Sequence, residues 1–209
     1  MFLQMWNATE RDRIYEPYLH TASVISAPGV VIPYGENPAS KERVAKQVYL
    51  HILNQAKRYV YIMTPYLILD SEMSNALQFA AKRGVDVRIV LPHIPDKKTA
   101  FALAKSHYRE LTIAGVKIYE YTPGFVHAKV FLSDDICGTV GSINLDYRSL
   151  YLHYECAAYL YKIPALVDIK DDFEDTFSKS QLVTPDDVTK QSLPCRLLGA
   201  ILKVVAPLM

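Results

Sequence analysis

The chain has 209 residues, half of them hydrophobic, and a formal charge of +1. It is long enough for one well-buried α/β domain with modest additional segments, and too nearly neutral for a diffuse basic surface to argue for nucleic acid. No stretch reaches the ~18 apolar residues of a membrane span, and no charged region followed by an apolar run marks a signal peptide at the start.

Residues 1–35 read as a connecting segment. Trp6 is followed by mixed charge, Pro17, Pro28, Gly29, Pro33 and Gly35 break up the rest, and one strand is expected near Val30 to Pro33. From Ser40 the pattern turns helical, with Val44, Val48 and Ile52 at four-residue steps, and Lys57-Arg58 suits the helix C-terminus. Tyr59 to Met63 is β-prone. A helix capped by Asp70 or Ser71 should run to Arg83 and stop at Gly84. Asp86 to Leu91 reads as a buried strand, Lys97 to Ala114 as a helix closed by Gly115, and Val116 to Tyr121 as a further strand. Glu155 to Tyr161 is another strand. Pro164 to Ser180 is a helix with Leu166, Ile169, Phe173 and Phe177 on one side and Asp171, Asp172, Glu174 and Asp175 as its solvated face. This alternation predicts an α/β domain over residues 36–182, with a mixed, mostly parallel sheet and helices on both faces. Residues 183–209 form a tail, apolar from Leu197 to Met209, that either lies in a membrane surface or packs on the domain.

Between the last two strands sits the stretch with chemical content, His127-Ala-Lys129-Val-Phe-Leu-Ser-Asp134, followed by Gly141-Ser142-Ile-Asn144. His127, Lys129, Phe131 and Ser133 share one side if the segment is a strand. Imidazole serves as nucleophile or proton carrier near neutral pH, and lysine brings a point charge for phosphate. A lone His-x-Lys is commonplace. The full spacing through Asp134 to Gly-Ser-x-Asn is not, and it resembles the HKD signature of the phospholipase D superfamily. The flanking Tyr119-Glu-Tyr-Thr-Pro-Gly-Phe-Val and Asn144-Leu-Asp-Tyr-Arg-Ser-Leu150 are similar to the second HKD domain of bacterial cardiolipin synthases.

The resemblance implies a phospholipase D-like fold and phosphatidyl transfer between two phosphatidylglycerols, with no metal or cofactor. His127 would form a phosphohistidine and Lys129 would supply charge. Ser142 and Asn144 would bind substrate, with Asn144 the stronger candidate. Asp134 belongs to the signature, but its strand parity is opposite to that of His127, so an anchoring role in the hairpin is expected. Glu155, in Tyr151-Leu-His-Tyr-Glu155, resembles the carboxylate that orients the catalytic histidine. The family has asparagine where this chain has His153, which shares parity with Glu155. Asp146 and Arg148 are expected to form a buried pair, and Thr64-Pro65-Tyr66 resembles a loop bordering the site. His20, His51, His93 and His107 have no metal-ligand spacing and receive no role. Cys137, Cys156 and Cys195 read as reduced thiols facing the cytosol.

Family proteins carry membrane helices and a first HKD domain ahead of this region. The expected partners are therefore a phospholipid, a membrane surface on its cytoplasmic face, and a second HKD domain from an upstream half or a homodimer. A phospholipase D-like hydrolase, a homodimeric single-HKD nuclease and an inactive chain that keeps only the fold are the other readings.

Overall fold

Buried apolar stripes at helical and strand spacing account for the architecture of the computed structural model, which describes residues 2–9, 14–19, 27–189, 199 and 201–208. Helix α1 is Phe2–Thr9, and strand β1, Val30–Glu36, opens the domain. In α2, Val44–Gln55, the stripe Ala45, Tyr49, Ile52 and Leu53 is buried. Strand β2, Tyr59–Met63, is buried at all five positions, as a central strand covered on both faces must be. Helix α3, Ser71–Lys82, is capped by Asp70, whose carboxylate accepts from the Met73 N–H at 2.7 Å. Strand β3, Asp86–Pro92, helix α4, Lys98–Ile113, and strand β4, Lys117–Tyr121, follow at the predicted places. Gly84 and Gly115 terminate α3 and α4 at φ 91° and 100°, a conformation that costs glycine little.

The hairpin strands are β5, Val130–Ser133, and β6, Cys137–Gly141; then come β7, Glu155–Tyr161, α5, Ala165–Ser178, and a short β8, Ser180–Leu182. The eight strands form one sheet in the order β1-β7-β6-β5-β2-β3-β4-β8. The sheet is mixed, as expected, but parallel pairing is confined to β2–β3 and β3–β4, and the other five pairings are antiparallel. The expected predominance of parallel strands is thereby corrected: helical crossovers join neighbouring strands only in the stretch from β2 to β4. Strand β1 joins the sheet through β7, so residues of the presumed connecting segment belong to the domain.

The two faces carry separate cores. Val60 and Ile62 of β2 pack with α2, α3 and α4, whereas Tyr59, Tyr61 and Met63 pack with Leu166, Phe173 and Phe177 of α5. The four acids of α5 are exposed, as the helical period requires. At the C-terminal end, Ala206 is buried in a small cluster with Ile68, Ala100 and Leu103, and Leu202 packs against it. Val204 remains exposed. His20, Cys195, Arg196 and Leu197 lie outside the described residues.

Candidate active site

The strand register places the motif at one end of the sheet. Met63, Val90 and Val130 are mutual partners across β3, β2 and β5. His127 lies three residues before Val130, and the chain beyond Met63 forms the Thr64–Tyr66 loop beside it. Regular strand geometry begins only at Val130, so His127 and Lys129 sit on an extended approach to the strand. The His127 ring is exposed and 5.9 Å from that of Phe125; among the described residues neither of its nitrogens has a hydrogen-bond partner. Lys129 is 9 % exposed and its Nζ donates to the His127 carbonyl at 2.5 Å. Burial pulls the Lys129 ammonium below the ordinary lysine range, with the nearby carboxylates of Glu155 and Asp146 acting in the opposite direction.

Those carboxylates belong to a hydroxyl network behind the lysine. Ser142 Oγ donates to Glu155 Oε2, and Ser149 Oγ donates to Oε1 at 2.9 Å. Asn144 Nδ2 donates to Ser149 Oγ at 3.0 Å, which leaves one amide N–H unused and a buried Oδ1 without a protein partner. Ser142 is held in place by the Cys156 N–H, at 3.1 Å from its Oγ. His153 Nδ1 stands 3.6 Å from Glu155 Oε1. The structure thus brings Lys129, Ser142, Asn144, His153 and Glu155 together. No hydrogen bond joins Glu155 to His127; the hydroxyls of Ser142 and Ser149 occupy its oxygens instead.

Asp146 accepts from the Ser149 N–H at 2.7 Å and caps a single π turn, Arg148–Leu152, closed by the His153 N–H on the Arg148 carbonyl at 2.9 Å. Arg148 is exposed and forms no ion pair among the described residues. The expected Arg148–Asp146 pair is therefore corrected, because the backbone amide has taken the carboxylate. Burial raises the Asp146 carboxyl above its ordinary value. Thr64 is buried and structural: its Oγ accepts from the Leu145 N–H at 3.2 Å and donates to the Tyr66 carbonyl at 2.9 Å, fixing the loop that carries Asn144.

Asp134 is not part of this cluster. It lies at the opposite end of β5, roughly 20 Å from His127 at the usual strand rise. There its carboxylate accepts from the N–H groups of Lys57, Arg58 and Tyr59 at 2.7, 2.9 and 2.8 Å. A cleft of about 440 Å³ at that end, lined by His51, Lys57, Asp134, Cys137 and Tyr159, is remote from His127 and Lys129.

Sequence reasoning missed Ser149, whose signal was the Asp146-x-x-Ser149 capping spacing, and His93. The latter ring is hydrogen-bonded through Nδ1 to the buried carboxylate of Glu120 at 2.9 Å. Only the β3–β4 pairing reveals this contact.

Residues 49–179 match the family described as cardiolipin synthase, PLD-like domain. The chain belongs to that family. It is 33% identical over its whole length to cardiolipin synthase 2 of Bacillus cereus, covering 41% of that protein, and 59% identical to an uncharacterized protein of Streptococcus mutans, covering 46% of it. The chain thus spans less than half the length of these curated relatives. Among solved structures it is similar to a phosphatidylserine synthase of Haemophilus influenzae, with TM-score 0.69 and 18% identity, over 91% of this chain and 50% of that one. It is also similar to Nuc, a phospholipase D family member from Salmonella typhimurium, with TM-score 0.63 and 21% identity, over 74% of this chain and 97% of that one. At these identities the likeness is one of fold.

Proposed function

We propose that this chain supplies one half-site of a phosphatidyltransferase that forms cardiolipin from two phosphatidylglycerols at the cytoplasmic face of a membrane. His127 attacks phosphorus, the P–N bond forms, and the bond to the departing glycerol breaks. The glycerol of a second phosphatidylglycerol then displaces His127 as its own O–P bond forms. Lys129 and the spare N–H of Asn144 face the charge that grows on the non-bridging oxygens. Glu155 holds the Ser142 and Ser149 hydroxyls and, with Asp146, favours the charged form of Lys129.

Attacking and leaving groups lie on opposite sides of phosphorus, so a second histidine protonates the departing alkoxide and later takes the acceptor's proton. That histidine comes from a second copy of the chain or from an upstream half. A membrane partner is supported by apolar side chains around the motif: Phe125 is 38 %, Leu152 53 % and Tyr154 45 % exposed. The exposed imidazole, without a hydrogen-bond partner among the described residues and two residues from a buried ammonium, carries the reading.

The test is to quench the assembly with ³²P-phosphatidylglycerol and look for alkali-stable label. The wild-type protein should carry it on His127 and a His127→Ala variant should carry none. Turnover without label on His127 would remove the covalent step.

A further inference from the structure

The described part of the C-terminal segment meets the domain through one side only. Residues 201–205 are helical, and Leu202 and Ala206 turn inward onto Ile68, Ala100 and Leu103. A methyl group on Gly199 would come within 2.8 Å of Ser106 Cβ, so the backbone there lies directly on α4. Lys203, the one charge between residues 201 and 207, is drawn back to Glu110 of α4, its Nζ 3.2 Å from Oε1. The outer side is bare. Ile201 is 56 % and Val204 80 % exposed, and Val205 stands exposed beside them on the same helical face.

This bare face adjoins residues that border the motif. The cluster that receives Ala206 also takes in Tyr66, from the loop after β2, and Tyr147, which opens the π turn. Tyr147 stacks on Tyr151 of that turn, with 5.6 Å between ring centres, and the chain runs on to the exposed Leu152 and Tyr154. Apolar side chains thus continue from the turn beside the motif to the tail. Phosphatidylglycerol is held in a bilayer by its acyl chains, so the lipid surface has to reach the mouth of the site.

We infer that the C-terminal segment is a two-sided helix: Leu202, Lys203 and Ala206 clip it to the domain, and Ile201, Val204 and Val205 enter the surface of a bilayer. This placement rests on the lipid-substrate reading above. A helix already docked on α4 has little conformational freedom left to lose when it meets lipid, so its apolar side chains insert at small ordering cost. Because the same helix packs on the Tyr66 and Tyr147 cluster, insertion of its outer face holds the neighbouring site against the headgroups.

The experiment floats the full chain with vesicles of phosphatidylglycerol and phosphatidylcholine in equal parts and follows Tm in parallel. Val204→Glu should lower the partition coefficient about tenfold, the size of one aliphatic side chain withdrawn from lipid. Its Tm should stay within about 2 °C of wild type, as for other exposed positions. Ile113→Glu is the control: Ile113 is 72 % exposed at the far end of α4, and its replacement should leave binding within about twofold. Val204→Trp should raise binding by about threefold, and its indole fluorescence should shift to the blue when vesicles are added. A wild-type chain that ignores vesicles, equal losses in the two glutamate variants, or a Val204→Trp indole that stays in water would overturn the inference. So would a dimer in solution that Val204→Glu dissociates, since a second copy would then cover the face. Vesicle binding that depends on Val204, in an assembly that transfers no phosphatidyl group, would overturn the transfer step alone.

Discussion

The two ends of strand β5 carry residues of one sequence signature and have opposite hydrogen-bond economies. At the Asp134 end every demand is met: the carboxylate receives three backbone N–H groups and the Asp134 carbonyl accepts from Arg58 at 2.5 Å. At the other end capacity is left over. Among the described residues the His127 ring has no hydrogen-bond partner and Asn144 keeps an N–H and a buried carbonyl oxygen, while burial pulls the Lys129 ammonium below the ordinary lysine range. Saturation marks a joint that holds the hairpin to β2. Unspent capacity, in side chains the fold nevertheless keeps in place, is what the proposed phosphodiester site requires.

Substitution can break this comparison, and the largest effect is expected at His127. His127→Ala should lower phosphatidyl transfer by roughly four or more powers of ten, since the covalent route is lost, while Tm moves by no more than about 2 °C because an exposed ring contributes little to stability. Parallel rate and melting measurements decide it; a comparable loss of folding would erase the contrast. Lys129→Met keeps the buried stem and removes the charge. A fall of about a thousandfold in kcat with Tm unchanged or raised is expected, because the ammonium is held against desolvation. Asp134→Ala should show the reverse profile: about 3 kcal/mol lost in denaturant unfolding, from three amides left without an acceptor, and near-normal kcat in whatever fraction stays folded. A folded but inactive Asp134→Ala protein would put the two ends on an equal footing.

The smallest effect concerns pH. A lysine whose folded value lies below 10.5 binds fewer protons folded than unfolded in the window just beneath 10.5, so stability rises with pH there as the cost of burying charge is relieved. Activity should fall across the same window, because the charge at phosphorus disappears. Stability and rate measured between about pH 8 and 10.5 should therefore diverge in the wild type, and a Lys129→Arg variant should flatten both trends.

Much of the fold was legible because local signals agree with it. Gly84 and Gly115 end helices where the apolar period ends, and β2, β3 and β4 are short apolar runs of the right length. The proportion of antiparallel pairing was not legible, since the side-chain period of a strand is the same whichever way its neighbour runs. Around the motif, residue types could be read but partners could not. Glu155 was expected on His127, yet serine hydroxyls on the turn and on the π turn reach it first. Arg148 was expected on Asp146, yet an N–H three residues on caps that acid. His93 and Glu120 are 27 residues apart and meet only because β3 and β4 align Pro92 with Tyr121.

The position of β2 also bears on the order in which the protein can be made. One of its edges pairs with β3, which follows within one helix, while the other pairs with β5, about seventy residues later. During synthesis β2 and β3 can pair while about forty residues still separate β3 from the hairpin. Throughout that interval the most apolar strand of the molecule presents a bare edge, the kind that recruits foreign strands. Closing it depends on Asp134 reaching the amides of residues 57–59, so the anchoring residue of the signature doubles as the latch that ends the exposure. Nascent chains carrying an alanine at position 134 should aggregate or attract chaperones before any catalytic residue is in place.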